Sequence, residues 1–460
     1  MIIKFENLGP LKNGEISLNK LTVIAGGNNT GKTYLTYTIF GLIQFLHQNC
    51  HFAIAAESIN QMHTEGKTSI FCSFDQFSEI IQDCSEGFDS TYISRIFSTQ
   101  EEFFSNTIIT LIPEASDFSN ISTQTSTRTI QYRNTKCSIS VNPSVKKKGW
   151  TIECSVVGET PLTEGASGIQ LISFKRALGR TIARVLIGQI FPVPWISTSE
   201  RLGIALFYKD LDSSRNAVVE YLQSMAAKKS EKEFFDPYEW VEKATSRFAI
   251  PIHENINFVR NLEDIKDKDS ELDIDLCKYI STMMDGAYKY QNEEIIFFNG
   301  RRGANKLQFP LHLGSSSLRS LTDIFFYLKH LVTKNSLIII DEPESHLTPQ
   351  NQVIFARLIG ACINAGIRLI VTTHSDYLIK EINNLIMLSS VEEGSFDEFK
   401  KYGYQKNERL NPKDVVAYLC NKNKIAQCAI DKFGVEIPNL DEANISMNTR
   451  ASHLYDLLDR

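Results

Sequence analysis

The sequence predicts an α/β protein with a mainly parallel sheet and helices on its faces, and three observations predict it. Short apolar, β-branched runs stand at Leu21-Thr22-Val23-Ile24-Ala25, Ser336 to Ile340 and Arg368 to Thr373, the pattern of strands buried on both faces. Helical stretches alternate with them. Leu35, Ile39, Leu42, Ile43 and Leu46 make one stripe after the first run, and Asn351 to Ala365 follows the second. The composition, 42% hydrophobic and 22% charged over 460 residues, allows a large core and excludes a disordered, collagen-like or rod-like chain.

In chain order, Ile2, Ile3 and Phe5 begin an extended segment that Asn7-Leu8-Gly9-Pro10 breaks. Gly26 to Gly31 is a loop and Lys32 to Gln48 a helix. Residues 50–165 are polar and rich in Ser, Thr and Phe; Thr127 to Asn134, Thr135 to Asn142 and Trp150 to Gly158 read as a small antiparallel sheet. Residues 169–191 read as an apolar helix. Residues 203–285 read as mixed helices with an acidic stretch, Glu263 to Asp275, and without the sustained heptads of a coiled-coil arm. Ile295 to Phe298 and Leu307 to Leu311 are expected strands, Leu318 to Val332 an expected helix, and residues 386–460 a mixed tail. The expected organisation is therefore 1–49, an insertion at 50–292, 293–390, and a tail subdomain at 391–460.

The net charge of −6 excludes a polycation wrapped in nucleic acid; such contact needs a local patch. The nine cysteines are scattered and form no CxxC pair. The N-terminal residues lack the basic and apolar regions of a signal peptide, and no apolar run reaches the ~18 residues that span a bilayer. The expectation is a cytoplasmic protein with reduced thiols and no membrane contact.

Gly26-Gly27-Asn28-Asn29-Thr30-Gly31-Lys32-Thr33 fits GxxxxGK[ST], the phosphate-binding P-loop. Glycines let the backbone curl so that several N–H groups face one phosphate chain, and the helix that follows adds its positive end. Gly26, Asn28, Asn29, Thr30, Gly31, Lys32, Thr33 and Tyr34 are the expected nucleotide contacts, with Lys32 on the β- and γ-phosphates and Thr33 on Mg²⁺. Asp341-Glu342, at the end of the second apolar run, suits a Walker B site: Asp341 on Mg²⁺, Glu342 orienting or deprotonating the attacking water. His374 follows the third run and is placed to hydrogen-bond the γ-phosphate. Ser315-Ser316-Ser317 precedes a helix and offers a second anion-binding end, or simple N-capping.

Together these motifs resemble the ABC-type ATPase head, and within it the SMC/RecF and OLD branch. The order is that branch's: P-loop, long insertion, signature helix, Asp341-Glu342-Pro343-Glu344-Ser345-His346-Leu347-Thr348-Pro349, then Thr373-His374-Ser375. Phe5-x-Asn7-Leu8-Gly9-Pro10-Leu11 resembles its first strand, and Pro194 to Arg201 resembles a P-A-E-R element of bacterial members. The resemblance covers roughly 1–48 and 293–385. It implies a P-loop NTPase fold, an ABC-like head with a mainly parallel sheet plus an antiparallel subdomain, split by a mixed α+β and helical insertion. It implies ATP and Mg²⁺ as ligands, with Lys32, Thr33, Asp341, Glu342 and His374 acting in cis. Ser315, Ser316 and Ser317 would act in trans across a head-to-tail pair. The usual signature has two glycines after its serine; here three serines stand in.

Bacterial members include AAA-type defence ATPases of the Septu, PARIS and abortive-infection kind. The resemblance thus implies a switch in anti-phage defence with a separate nuclease or toxin as partner. The alternative is a RecF-like DNA-repair ATPase. Residues 386–460 offer Asp397, Asp414, Asp431 and Asp441 but no DxD, so no TOPRIM nuclease is expected in this chain. Arg176, Arg180 and Arg184 share a helix face, either as a solvated surface over a core helix or as a contact for DNA phosphates or an acidic partner. Lys146-Lys147-Lys148 reads as a basic hairpin turn, and Arg301-Arg302 as a loop near a dimer or nucleotide contact. Asp267-x-Asp269-x-Glu271 lacks the glycine of a calcium loop.

Overall fold

The structure is a computed structural model, and it describes residues 1–118, 125–132, 135–144, 148–157, 168–209, 248–300, 307–437 and 442–458. Lys146, Lys147, Arg301, Arg302 and Asp441 lie outside the described residues. The chain divides into two compact units. The first is Met1–Ser17 with Tyr37–Trp195, the second Leu18–Thr36 with Ile196–Arg460.

The second unit is built on a sheet whose four central strands are parallel. In order they are Val415–Asn421, Leu21–Gly26, Arg368–Thr373 and Leu337–Ile340. Leu21 lies opposite both Val415 and Leu369, and Ile340 opposite Val371, so the C-terminal ends of these strands share one rim. Lys424–Gln427 adds antiparallel beyond Val415–Asn421, and the strand Pro194–Ser197 flanks Leu337–Ile340. Leu21 to Ala25 and Leu337 to Ile340 are buried at every position, which is why they read as continuous apolar runs rather than alternating ones. Helices Pro349–Asn364 and Asp376–Ser389 pack on each other. Their starts are fixed by Thr348 and Ser375, whose side chains accept from Asn351 N–H and Leu378 N–H, with Pro349 in the first turn.

Three local expectations change. The helix expected from Leu318 to Val332 is two helices, Ser316–Ser320 and Thr322–His330, hinged at Leu321. Ser320 Oγ donates to Ser317 O at 3.0 Å and Thr322 Oγ1 to Leu318 O at 3.0 Å; side chains that compete for backbone carbonyls favour such a break. The strand expected at Leu307 to Leu311 ends at Pro310, which has no N–H for a ladder, and the chain turns into a single 3₁₀ turn at Leu311–Leu313. Val415–Asn421, within the stretch read as a mixed tail, is a parallel neighbour of Leu21–Gly26.

The first unit holds a set of three antiparallel strands and a separate four-stranded antiparallel sheet. Ile2–Leu8 lies between Leu11–Ser17 and Ile108–Ile112, with Asn7 at positive φ near the end of the strand and Gly9 at positive φ in the tight turn that follows. The four-stranded sheet runs Lys67–Ser73, Gly149–Val157, Thr135–Ser144, Ser126–Tyr132, as the strand patterns around residues 127–158 anticipate. Trp150, fully buried, packs among Phe74, Phe77 and Phe118 and donates to Gln189 Oε1 at 2.6 Å, holding helix Gly168–Ile190 to this sheet. The P-loop helix Lys32–Asn49 begins in the second unit and ends in the first. Its stripe Leu35, Ile39, Leu42, Ile43, Leu46 is buried throughout.

Candidate nucleotide site

The site lies at the C-terminal rim of the second unit's parallel strands, where α/β sheets bind ligands. Leu21–Gly26 delivers the loop Gly27 to Gly31. Gly26 has φ 153° and Gly31 φ 99°, and a Cβ on Gly26 would sit 2.5 Å from Cys420 O, so no other residue fits there. Asn29 adopts φ 59°, a left-handed turn that asparagine tolerates. Gly27, Asn28 and Asn29 are exposed, so the loop's main chain is open to solvent. Thr30 Oγ1 donates to Gly27 O at 2.9 Å. Lys32 Nζ donates to Gly26 O at 3.0 Å and Gly27 O at 2.9 Å, arching over the loop, while its side chain is only 5% exposed. Tyr34 stands on the first turn of the helix, half-buried.

Leu337–Ile340 delivers the carboxylates. Thr33 Oγ1 donates to Asp341 Oδ2 at 3.1 Å, across 308 positions of sequence, and Thr372 Oγ1 donates to Asp341 Oδ1 at 2.5 Å. Asp341 is fully buried, and burial pushes its carboxyl above the ordinary range against the pull of the Thr372 and Thr33 hydroxyls. Glu342 takes φ 50°, and its N–H donates to Thr372 Oγ1 at 2.9 Å. Its Oε1 lies 3.5 Å from Lys32 Nζ and 3.7 Å from His374 Nδ1. The His374 imidazole and then the Lys32 charge hold the Glu342 carboxyl below its usual value, and Glu342 in turn raises His374.

The switch strand Arg368–Thr373 is fixed to the segment after Asp341 by Glu344. Its Oε1 accepts from Thr373 Oγ1 at 2.8 Å and His374 N–H at 2.7 Å, and lies 3.2 Å from His374 Nδ1. Ser375 Oγ donates to Gln352 Oε1 at 2.5 Å. The structure thus gathers Lys32, Thr33, Asp341, Glu342 and His374 at one place. The three signature serines take separate tasks. Ser315 caps helix Ser316–Ser320 by accepting from Leu318 N–H, Ser317 Oγ donates to His346 O at 2.5 Å, and Ser316 occupies the first turn, half-buried.

The donors suit the expected ligands. Thr33 and Asp341 offer a hydroxyl and a carboxylate, the oxygen chemistry that Mg²⁺ selects. Among the described residues no group of three or more His, Cys, Asp or Glu could hold a metal ion, so Mg²⁺ here would complete its shell with phosphate oxygens and water.

Residues 206–379 match the family model described as an AAA ATPase domain. That span contains Ser315 to Ser317, Asp341, Glu342 and His374; Lys32 and Thr33 lie outside it and join it through the Thr33–Asp341 hydrogen bond. No curated protein matches the chain. Among solved structures, the SMC head domain from Thermotoga maritima is 11% identical, covering 94% of this chain and 98% of its own, with a TM-score of 0.31. The Smc head domain with an extended coiled coil derived from Pyrococcus furiosus, bound to the C-terminal domain of ScpA, is 13% identical over 98% of each chain, with a TM-score of 0.30. The recombination mediator RecF is 10% identical over 93% and 97%, with a TM-score of 0.29. At these identities and scores the likenesses assign no residue roles here.

The role of one residue at the site escaped sequence reasoning. Arg201, within the Pro194 to Arg201 element, is 2% exposed and donates to the carbonyls of Asp341 and Glu342, both at 2.6 Å. The resemblance of Pro194 to Arg201 to a P-A-E-R element points to this residue in the sequence, but it does not reveal main-chain partners. The acidic turn is further supported by Asp341 N–H donating to Ser197 O at 2.9 Å. Asp323, fully enclosed, accepts from Ser197 Oγ at 2.7 Å and Asn255 Nδ2 at 3.0 Å. Arg176, Arg180 and Arg184 are exposed on helix Gly168–Ile190 in the first unit. Among the described residues no helix is long and apolar enough to cross a membrane.

Proposed function

We propose that this chain is an ATP-hydrolysing ABC/SMC-like head that closes head-to-tail around ATP, and that it serves as the cytoplasmic switch of a bacterial anti-phage defence system controlling a separate nuclease or toxin. The observation that carries the ATPase reading is the Thr33–Asp341 hydrogen bond at 3.1 Å, which joins a P-loop to an acidic strand end. In this reading Lys32 leaves its loop carbonyls for phosphate oxygens, and the amides of Gly27 to Lys32, with Tyr34 beside them, line the phosphate chain. Mg²⁺ neutralises phosphate charge when bound beside Thr33 and Asp341. Glu342, kept ionised by Lys32 and His374, accepts the proton of the attacking water, and His374 then faces the γ-phosphate. Ser315, Ser316 and Ser317 contact the partner's nucleotide, so loss of the γ-phosphate loosens the pair. The defence role rests on the resemblance of the motif order and on the acidic net charge.

Glu342→Gln should still bind ATP, double in apparent mass when ATP is added, and turn over at least ~100-fold more slowly than the parent. Hydrolysis at the parent rate, or a monomer at saturating ATP, refutes the assignment. A nuclease or toxin gene beside this one supports the defence role; a replication gene supports repair.

A RecF-like role on DNA is favoured by one observation. The exposed Arg176, Arg180 and Arg184 follow each other at four-residue spacing, and the charges of Arg180, Arg176 and Lys175 add to burial in lowering the pKa of His51. Replacing all three with alanine should abolish salt-sensitive DNA binding and leave ATP turnover unchanged. Undiminished DNA binding removes this reading.

A further inference from the structure

Arg201 opens helix Arg201–Phe207 directly after the strand that flanks Leu337–Ile340. Its guanidinium is buried, and its N–H groups go to main-chain carbonyls. Nη1 donates to Asp341 O at 2.6 Å and Thr198 O at 3.0 Å, Nη2 to Glu342 O at 2.6 Å, and Nε to Ser320 O at 3.0 Å. Two successive carbonyls of an extended chain point to opposite sides and cannot share one planar fork. Glu342 breaks that alternation with φ 50°, a conformation that residues with a Cβ adopt at a cost. The left-handed turn lets both carbonyls meet the one forked guanidinium. The same turn sets Glu342 Oε1 between Lys32 Nζ at 3.5 Å and His374 Nδ1 at 3.7 Å. Ser320 ends the short helix that begins at the signature serines, and its carbonyl lies at the break around Leu321, where intrahelical bonding is interrupted.

We infer that Arg201 is a positioning residue: its guanidinium holds Glu342 in the left-handed turn that aims its carboxylate at the site, and it ties that turn to the end of the signature helix. This rests on the reading of Glu342 as the water-activating group.

Lysine keeps the charge at position 201 but has no fork to bridge two carbonyls. Arg201→Lys should lower kcat about ten-fold or more and leave KM for ATP within about three-fold, as misplacement of a reacting group does. In a Glu342→Gln background the same change should cost less than about two-fold, because the group it positions is gone. Without nucleotide, amide hydrogen exchange of a peptide spanning Asp341 to His346 should quicken in Arg201→Lys, with peptides from helix Pro349–Asn364 unchanged. Equal losses of turnover in both backgrounds, or unchanged exchange, overturn the inference. A parent chain without ATPase activity would sink the hydrolysis reading and leave the exchange measurement to decide this one. Should Arg201→Lys not fold, Glu342→Gly, which takes φ 50° freely, should restore folding in the double variant. A double variant that stays unfolded shows Arg201 to be a general structural residue and refutes the inference.

Discussion

Two pieces of backbone meet at the rim of the second unit's sheet, and they are built in opposite ways. The loop Gly27 to Gly31 is open to solvent at Gly27, Asn28 and Asn29 and is closed by its own lysine, whose Nζ bonds to the carbonyls of Gly26 and Gly27. The turn at Asp341 and Glu342 is closed on every side: both carboxylate oxygens of Asp341 accept from threonines, both carbonyls accept from Arg201, and both main-chain N–H groups are bonded. In the proposed ATPase reading, the difference separates two tasks. The acidic turn is set in place by protein alone, which is what a group that must hold water in one geometry requires. The loop holds a substitutable arrangement, in which phosphate oxygens can take over the contacts that carbonyls now make with Lys32.

The largest expected effect breaks the open side. Lys32→Ala should weaken binding of a fluorescent ATP analogue about 10- to 100-fold, the worth of charge-assisted hydrogen bonds, and leave the melting temperature of the nucleotide-free chain nearly unchanged. A large loss of stability would show that Lys32 holds the loop rather than the ligand. The smaller effect sharpens the closed side. Burial raises the Asp341 pKa, so the folded chain holds this proton more tightly than the unfolded one. Its contribution to stability is full below the ordinary carboxylate pKa and is lost as pH rises through the raised folded value. Asp341→Asn should therefore raise the melting temperature of the nucleotide-free chain at neutral pH, by roughly 2 °C, and make no difference at about pH 3. Destabilisation at neutral pH would mean that the two threonine bonds outweigh burial.

The same contrast explains what could be read from the sequence. The open loop depends on glycines and a lysine at fixed spacing, and that spacing is visible residue by residue. Asp341, Glu342 and His374 were legible because each ends a continuous apolar strand. The supports of the closed turn were not. Arg201 acts on carbonyls, which every residue possesses, so nothing at positions 341 or 342 announces it. The hinge at Leu321 depends on Ser320 and Thr322 bonding to carbonyls inside an apolar stretch that by periodicity alone continues. Val415–Asn421 is a short apolar run among polar neighbours, and periodicity gives no sign that it lies against Leu21–Gly26 rather than elsewhere.

That strand has a consequence for how the protein is made. Leu21–Gly26 leaves the ribosome well before its partners Arg368–Thr373 and Val415–Asn421. At roughly 5–20 residues per second, an apolar strand with two free edges waits on the order of 20–80 s for its second neighbour. A nascent chain stalled before residue 415 therefore carries a complete P-loop on a strand with at least one unpaired, aggregation-prone edge.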